Sequence, residues 1–257
     1  VREDRPSERG RLERRQDLKR PRSVFPSLPG GMDRRLKEWY DKYRAEGKLP
    51  PEVSGQLPGQ LYSDQQNLEL WRSWRTGLQA QVSPEAIVSG ALDDLLHEPK
   101  AKTYHVLDYK TRGSPPVPGD TEKYYSTQGD AYALMLEANK LPPGPKACFA
   151  YYWPVEVGLA AAGELSSAGV RFRCEVVQVE AQPQRAAKLA LAATACLVGP
   201  IPGGQPKCEV CNYTTTREAV EEQLRRAACT TPSKIAGEPE TRGSTTGKKR
   251  ASGAKTR

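Results

Sequence analysis

Residues 25–229 read as one α/β domain with a mixed central sheet flanked by helices, and three observations carry that expectation. Apolar residues first recur at every third or fourth position, as on amphipathic helices. They then crowd into short runs bounded by Gly, Pro and Lys, as in strands. The order that results is helices, a strand hairpin, a helix, two strands and a helix, which calls for helices packed on a sheet. A charged arm over 1–24 and a basic tail over 230–257 flank this domain, and both read as disordered.

Arg20-Pro-Arg-Ser-Val-Phe-Pro-Ser-Leu-Pro-Gly-Gly31 is punctuated by proline and is expected to be a non-helical lead-in. Met32, Leu36, Trp39, Tyr40 and Tyr43 then mark a helix to about Glu46, stopped near Gly47. A second helix is predicted from Ser63, its cap, through Leu68, Trp71 and Trp74 to about Leu78. Ala86–Leu96 and Tyr104–Thr111 read as two paired strands, joined by a turn at Glu98–Lys102. Glu122–Asn139 is helical, Ala147–Trp153 and Val170–Val179 are strands, and Gln184–Leu197 is an Ala-rich helix.

The formal charge is +8, but +4 of it lies in residues 1–24 and +5 in residues 230–257, which leaves −1 for residues 25–229. The basicity is therefore a property of the tails, either solvated ends or a source of non-specific attraction to phosphate. No apolar run is long enough to span a membrane, and no apolar stretch follows Val1-Arg-Glu-Asp-Arg5 as in a secretory signal. The six cysteines lie in the second half without the spacing of a disulfide framework. A cytoplasmic protein is the expectation.

The chemistry gathers at the predicted hairpin. Asp93 is read inside an apolar strand and Asp108 near the end of the next, where an unpaired buried carboxylate is costly. Two acids converging from neighbouring strands can share Mg²⁺, which takes oxygen ligands. Lys110 lies two residues after Asp108, so strand alternation puts both on one face. An ammonium there can orient or deprotonate a water and stabilise a pentavalent phosphate. Read alone, an Asp-x-Lys triplet is equally served by strand-end acids with Lys110 as an ion-pair partner. Gln128 and Tyr132 are one helical turn apart and face the same way. By themselves they are also a surface Gln beside a core Tyr.

Gly90-Ala-Leu-Asp93, Val106-Leu-Asp-Tyr-Lys-Thr111 and Gln128-Gly-Asp-Ala-Tyr132, in that order, resemble the RecB-type branch of the PD-(D/E)XK nuclease superfamily. Phe25–Arg44 and the closing Cys208-x-x-Cys211-x-Tyr213 extend the similarity over roughly residues 20–215, as in stand-alone bacterial proteins of that superfamily. The resemblance implies a restriction-endonuclease-like fold and hydrolysis of DNA phosphodiesters with Mg²⁺ or Mn²⁺. Asp93 and Asp108 would bind the metal with the Tyr109 carbonyl, Lys110 would be the catalytic lysine, and Gln128 and Tyr132 would help position nucleic acid. Asp33 stands where relatives carry a metal-binding histidine on the first helix. It is either an oxygen ligand or an acid favoured by the helix N-terminus. Glu38 and Asp41 are weaker candidates, and Asp94 is expected to point to the opposite face. The resemblance also implies work in DNA repair, recombination or defence, with a helicase as a possible partner. A catalytically inactive nucleic-acid-binding module is the alternative reading, and an unrelated α/β interaction protein the third.

Cys208-Glu-Val-Cys211 has the spacing of a zinc or iron–sulfur ligand pair. Relatives complete such a site with cysteines near the first helix, yet residues 1–147 contain none. A remnant pair is thus expected, with Cys229 as the sole downstream addition. A lost cluster, a truncated start and a sequence error all fit the polar N-terminus. Cys148, Cys174 and Cys196 read as thiols within apolar elements. His97 and His105 flank the hairpin without a nucleophilic triad around them. Gly30-Gly31 and Gly203-Gly204 lack the context of a phosphate loop.

Overall fold

A computed structural model describes residues 27–158, 169–200, 203 and 207–230. The predicted arm, and the predicted tail after Thr230, lie outside the described residues. Helix α1 spans Ser27–Ala45 and buries Leu36, Tyr40 and Arg44, spaced four apart on one face. It begins earlier than expected, because Pro29 falls in the first turn, where its missing N–H has no intrahelical partner to lose. Gly47 ends the chain reversal after it at φ 65° and donates to the Arg44 carbonyl.

Helix α2 covers only Gln65–Arg72, and Asp64 rather than Ser63 caps it by accepting from the Asn67 N–H. The apolar series from Leu68 to Leu78 suggested a longer helix. Leu78 instead opens strand β2 (Leu78–Ser83), which follows the short β1 (Gln60–Leu61) in chain order. Gly77 permits the change: a Cβ there would come within 2.2 Å of the Gly90 carbonyl oxygen.

The segment read as one strand from Ala86 to Leu96 is two. Strand β3 (Ala86–Gly90) pairs with β2 in a separate two-stranded sheet, and β4 (Asp94–Glu98) pairs with β5 (Thr103–Thr111). Between them Leu92 donates its N–H to the Trp71 carbonyl, a bond to the end of α2 rather than to a strand. Asp93 therefore sits in the turn that leads into β4 and not inside a strand. Period-2 patterning cannot detect such a break when both halves are apolar.

Strands β6 (Lys146–Gly158) and β7 (Gly169–Glu180) complete a five-stranded sheet in the order β1-β4-β5-β6-β7. Only β5 and β6 run parallel, and helix α3 (Asp120–Ala138) lies between them in sequence. Alternation sorts the two faces. Leu107, Tyr109, Cys148, Ala150 and Tyr152 pack with Leu36 and Tyr40 of α1. Val106 packs with Tyr132, Met135 and Leu136 of α3, and Ala147, Phe149 and Tyr151 form a further cluster on that side. Gly129 lets α3 approach β6, since a Cβ there would lie 2.9 Å from that of Ala147. Helix α4 (Pro183–Val198) is tied to α3 where buried Asp130 accepts from the Gln182 N–H at 2.7 Å and pairs with Arg185. The result is the mixed, helix-flanked sheet expected of the restriction-endonuclease-like fold.

Two compact units divide the chain, Val1–Pro202 and Gly203–Arg257. The second contains helix α5 (Glu209–Thr230), for which the sequence reading made no assignment. Among the described residues no helix is long and apolar enough to cross a membrane.

One ionic cluster joins α1, α2 and the two central strands. Asp94, 0% exposed, accepts two bonds from Arg44 at 2.6 and 2.7 Å and one from the Tyr109 hydroxyl at 2.6 Å. Arg72 adds a bond to Asp94 at 3.3 Å and a paired contact to Asp41 at 2.8 and 2.9 Å. Burial and the Asp94 carboxylate raise the Tyr109 pKa, so its phenol stays a donor. A desolvated carboxylate is tolerable only when its lone pairs are satisfied in this way. Replacing Asp94 by Ala removes the carboxylate from the buried Arg44 guanidinium, which keeps only the Tyr62 carbonyl at 2.6 Å and a long contact to Asp41 at 3.4 Å. The expected loss is about 3–5 kcal/mol in urea unfolding, and a loss under about 1 kcal/mol would refute this account of the cluster.

Candidate active site

The β4–β5 ladder stops at Asp94 opposite Leu107, whereas β5 stays paired to β6 through Thr111. Beyond Leu107 one edge of β5 therefore has no strand beside it among the described residues, and the Asp93 side chain fills the gap. Its Oδ2 accepts the Tyr109 N–H at 3.0 Å. Within a strand the N–H and C=O of a residue point to the same edge, so the Tyr109 carbonyl also faces the Asp93 side. Arg72 holds the turn from behind, donating Nε to the Asp93 carbonyl at 2.9 Å.

Asp108 and Lys110 project from β5 toward α3, as their spacing predicts. Asp108 is buried, and Gln128 Nε2 donates to its Oδ2 at 2.8 Å. Its Oδ1 pairs with the Lys110 ammonium, but no hydrogen bond of good geometry reaches this oxygen among the described residues. Burial first, and then the negative charge of Asp93, push the Asp108 pKa up to about 6, against the opposing pull of Lys110. Lys110 also donates to Gln128 Oε1 at 3.1 Å and lies 4.4 Å from the centre of the Tyr125 ring.

Gln128 thus contacts both charged groups. The same amide nitrogen donates to Tyr132 Oη at 3.1 Å, and the Tyr132 hydroxyl donates to the Ala91 carbonyl at 2.9 Å. Burial and the nearby Asp108 raise the Tyr132 pKa, which keeps that phenol protonated. The chain of bonds runs from Lys110 through Gln128 and Tyr132 to Ala91, two residues before Asp93.

Of the residues expected to act together, Asp93, Asp108, Tyr109, Lys110, Gln128 and Tyr132 form one cluster. Asp33 joins it indirectly: Lys37 Nζ lies 2.9 Å from Asp33 Oδ2 and 3.1 Å from Asp93 Oδ1. Burial lowers the Lys37 pKa, but the Asp93 and Asp33 carboxylates outweigh it and the net shift is upward. Asp41 serves Arg72, and Glu38 forms an exposed pair with Arg35. Asp94 faces away from Asp108, as expected. Lys37, Arg44 and Arg72 went unnoticed in the sequence. The i, i+4, i+8 series Asp33, Lys37 and Asp41 was the available signal, a charged stripe on a helix whose neighbouring face is apolar.

Two carboxylates and a backbone carbonyl make a hard oxygen set of the kind Mg²⁺ accepts with the rest of its shell as water. The buried Asp108 Oδ1 meets the Lys110 ammonium at poor hydrogen-bond geometry and keeps lone-pair capacity that such an ion could use. Among the described residues no three His, Cys, Asp or Glu side chains converge as a metal group. At the start of α5, Cys208 Sγ accepts from the Cys211 N–H at 3.4 Å, and the pair adjoins no third such ligand among the described residues. The side chain of Cys229 lies outside them.

The elevated Asp108 pKa has a definite sign for stability. The unfolded carboxyl loses its proton near pH 3.8 and the folded one near 6, so the stability that Asp108 contributes at low pH is lost as pH rises between those values. In urea unfolding of metal-free protein from pH 4 to 7, the wild type should lose about 2 kcal/mol more than Asp108→Asn. Parallel pH profiles for the two proteins would show that Asp108 is not held in this state.

The family model described as the PD-(D/E)XK nuclease superfamily matches residues 19–216. No curated protein and no solved structure matches the chain. The matched span takes in α1, the sheet and both helices α3 and α4, together with the Asp93, Asp108-x-Lys110 and Gln128 cluster, and the chain belongs to the PD-(D/E)XK nuclease superfamily.

Proposed function

We propose that this protein is a metal-dependent nuclease that hydrolyses DNA phosphodiester bonds, with Asp93, Asp108 and Lys110 as its catalytic residues. The observation that carries this reading is the pairing of buried Asp108 with Lys110 on one face of β5, opposite Asp93 at the open strand edge. A protein has little reason to desolvate a carboxylate beside a second one unless a cation is to be shared. Asp93, Asp108 and the Tyr109 carbonyl would hold Mg²⁺ or Mn²⁺. When bound, the ion supplies Lewis-acid polarisation of a phosphoryl oxygen.

The chain's own groups do the remaining work. Lys110 faces the scissile phosphate, where its ammonium offsets the charge that builds up as water attacks and helps to orient that water. Gln128 holds the Lys110 ammonium and the Asp108 carboxylate in register, so neither must reorganise during the reaction. Tyr132 anchors the turn before Asp93, and the resemblance implies that it helps, with Gln128, to position the nucleic acid. The resemblance to RecB-type nucleases implies a role in DNA repair, recombination or defence against foreign DNA, with a helicase as a partner. The same resemblance raises a metal on Cys208 and Cys211 and an oxygen ligand at Asp33, although the Asp33 carboxylate is engaged by Lys37 at 2.9 Å. A binding module that has lost activity is the second reading, favoured by the net charge of −1 over residues 25–229.

Labelled single- and double-stranded DNA, incubated with Mg²⁺ or Mn²⁺, distinguishes the two. Cleavage should vanish with chelator and fall at least about 10³-fold in Asp108→Ala and Lys110→Ala. Gln128→Ala should cost about 10- to 100-fold, the usual effect of removing a group that orients a ligand. A folded protein that binds DNA without cutting it would transfer the assignment to the binding module.

A further inference from the structure

The charged stripe on α1 meets the Asp93 turn at two points. Asp41 grips Arg72, which holds the Asp93 carbonyl, while Lys37 reaches the Asp93 carboxylate itself. Lys37 is an ammonium placed on the same carboxylate that the metal reading assigns to a divalent ion. Its side chain is 21% exposed and that of Asp93 22%, so the pair is only partly screened by water. Asp33, one helical turn away and 41% exposed, is the second partner of the same ammonium.

We propose that Lys37 is a built-in counter-cation of the metal site. It neutralises Asp93 while the site is metal-free, and it must leave Asp93 for Asp33 when a divalent ion binds. The inference rests on the metal-site reading above. Asp93 at the edge of β5 and Asp108 on the same strand's α3-facing side are like charges at one site, so without a metal a positive charge is needed to keep Asp93 at the strand edge. A divalent ion that takes Asp93 Oδ1 competes with the Lys37 ammonium for that oxygen, and at the 3.1 Å contact the like charges would lie a few ångströms apart. Asp33 gives the displaced ammonium a partner without any movement of α1, because lysine's long stem allows it to swing. Asp33 is then the landing site of Lys37 and not a ligand. Lys37 sets how readily the site loads, exchanging metal affinity for order in the empty state.

Mn²⁺ titration of the chelator-treated full chain, followed by calorimetry and by the electron-spin signal of free Mn²⁺, tests this without reference to cleavage. Lys37→Gln should bind Mn²⁺ about tenfold or more tightly than the wild type, and Lys37→Arg should bind it like the wild type. Adding Asp33→Asn to Lys37→Gln should change the affinity less than twofold, because Asp33 acts only through Lys37. Lys37→Met, which keeps the apolar stem, repeats the measurement if the glutamine variant does not fold. Equal or weaker binding by the uncharged variants, with clear binding by the wild type, overturns the role of Lys37 alone. A marked loss on adding Asp33→Asn overturns the landing-site role and makes Asp33 a ligand. Absence of Mn²⁺ binding in every protein overturns the metal-site reading, and this inference with it.

Discussion

A carboxylate sealed from water must find a donor for each of its lone pairs, and Asp94 meets that demand with Arg44, Arg72, the Tyr109 hydroxyl and the N–H of Leu95. Each donor comes from a different part of the chain. Arg44 ends α1, Arg72 ends α2, and Tyr109 belongs to the neighbouring strand. Satisfying one buried charge thereby fixes where two helices end relative to the sheet. It also fixes the point at which β4 begins, and that point determines where Asp93 can reach.

The adjacent residues Asp93 and Asp94 divide the labour because the chain turns into β4 between them. Asp94 faces the α1 side of the sheet and organises structure. Asp93 lies across the open edge of β5 and shares its electrostatic environment with Asp108. Arg72 contacts both, Asp94 through its guanidinium and Asp93 through the backbone carbonyl, so the structural cluster and the candidate active site are mechanically one unit.

On the opposite face of the sheet the geometry depends on Gln128. A single amide both accepts from Lys110 and donates to Asp108, and this arrangement is possible because the group is neutral and carries a donor and an acceptor. A carboxylate there would add a third negative charge, and an ammonium would compete with Lys110. The close approach of α3 to β6 at Gly129, the next residue, brings the amide within reach.

Local periodicity by itself determined much of this protein. The order of helices and strands, the common face of Asp108 and Lys110, and the one-turn spacing of Gln128 and Tyr132 follow from repeats of 2 and 3.6 residues, which are properties of the backbone. The sequential order of the Gly90–Asp93, Asp108–Lys110 and Gln128–Tyr132 motifs was enough to indicate the superfamily. Only the tertiary structure decided the break at Ala91–Asp93, the separate β2–β3 hairpin and the short α2. There an apolar run supports strand and helix equally, and the choice is made by Gly77 against Gly90 and by Leu92 bonding to Trp71. The tertiary structure also decided the long-range partners of Lys37, Arg44 and Arg72, although the Asp33, Lys37 and Asp41 stripe already marked a charged face of α1. Their partners Asp93 and Asp94 lie far along the chain, and a charged residue on a helix carries no local mark of the carboxylate it will meet across the fold.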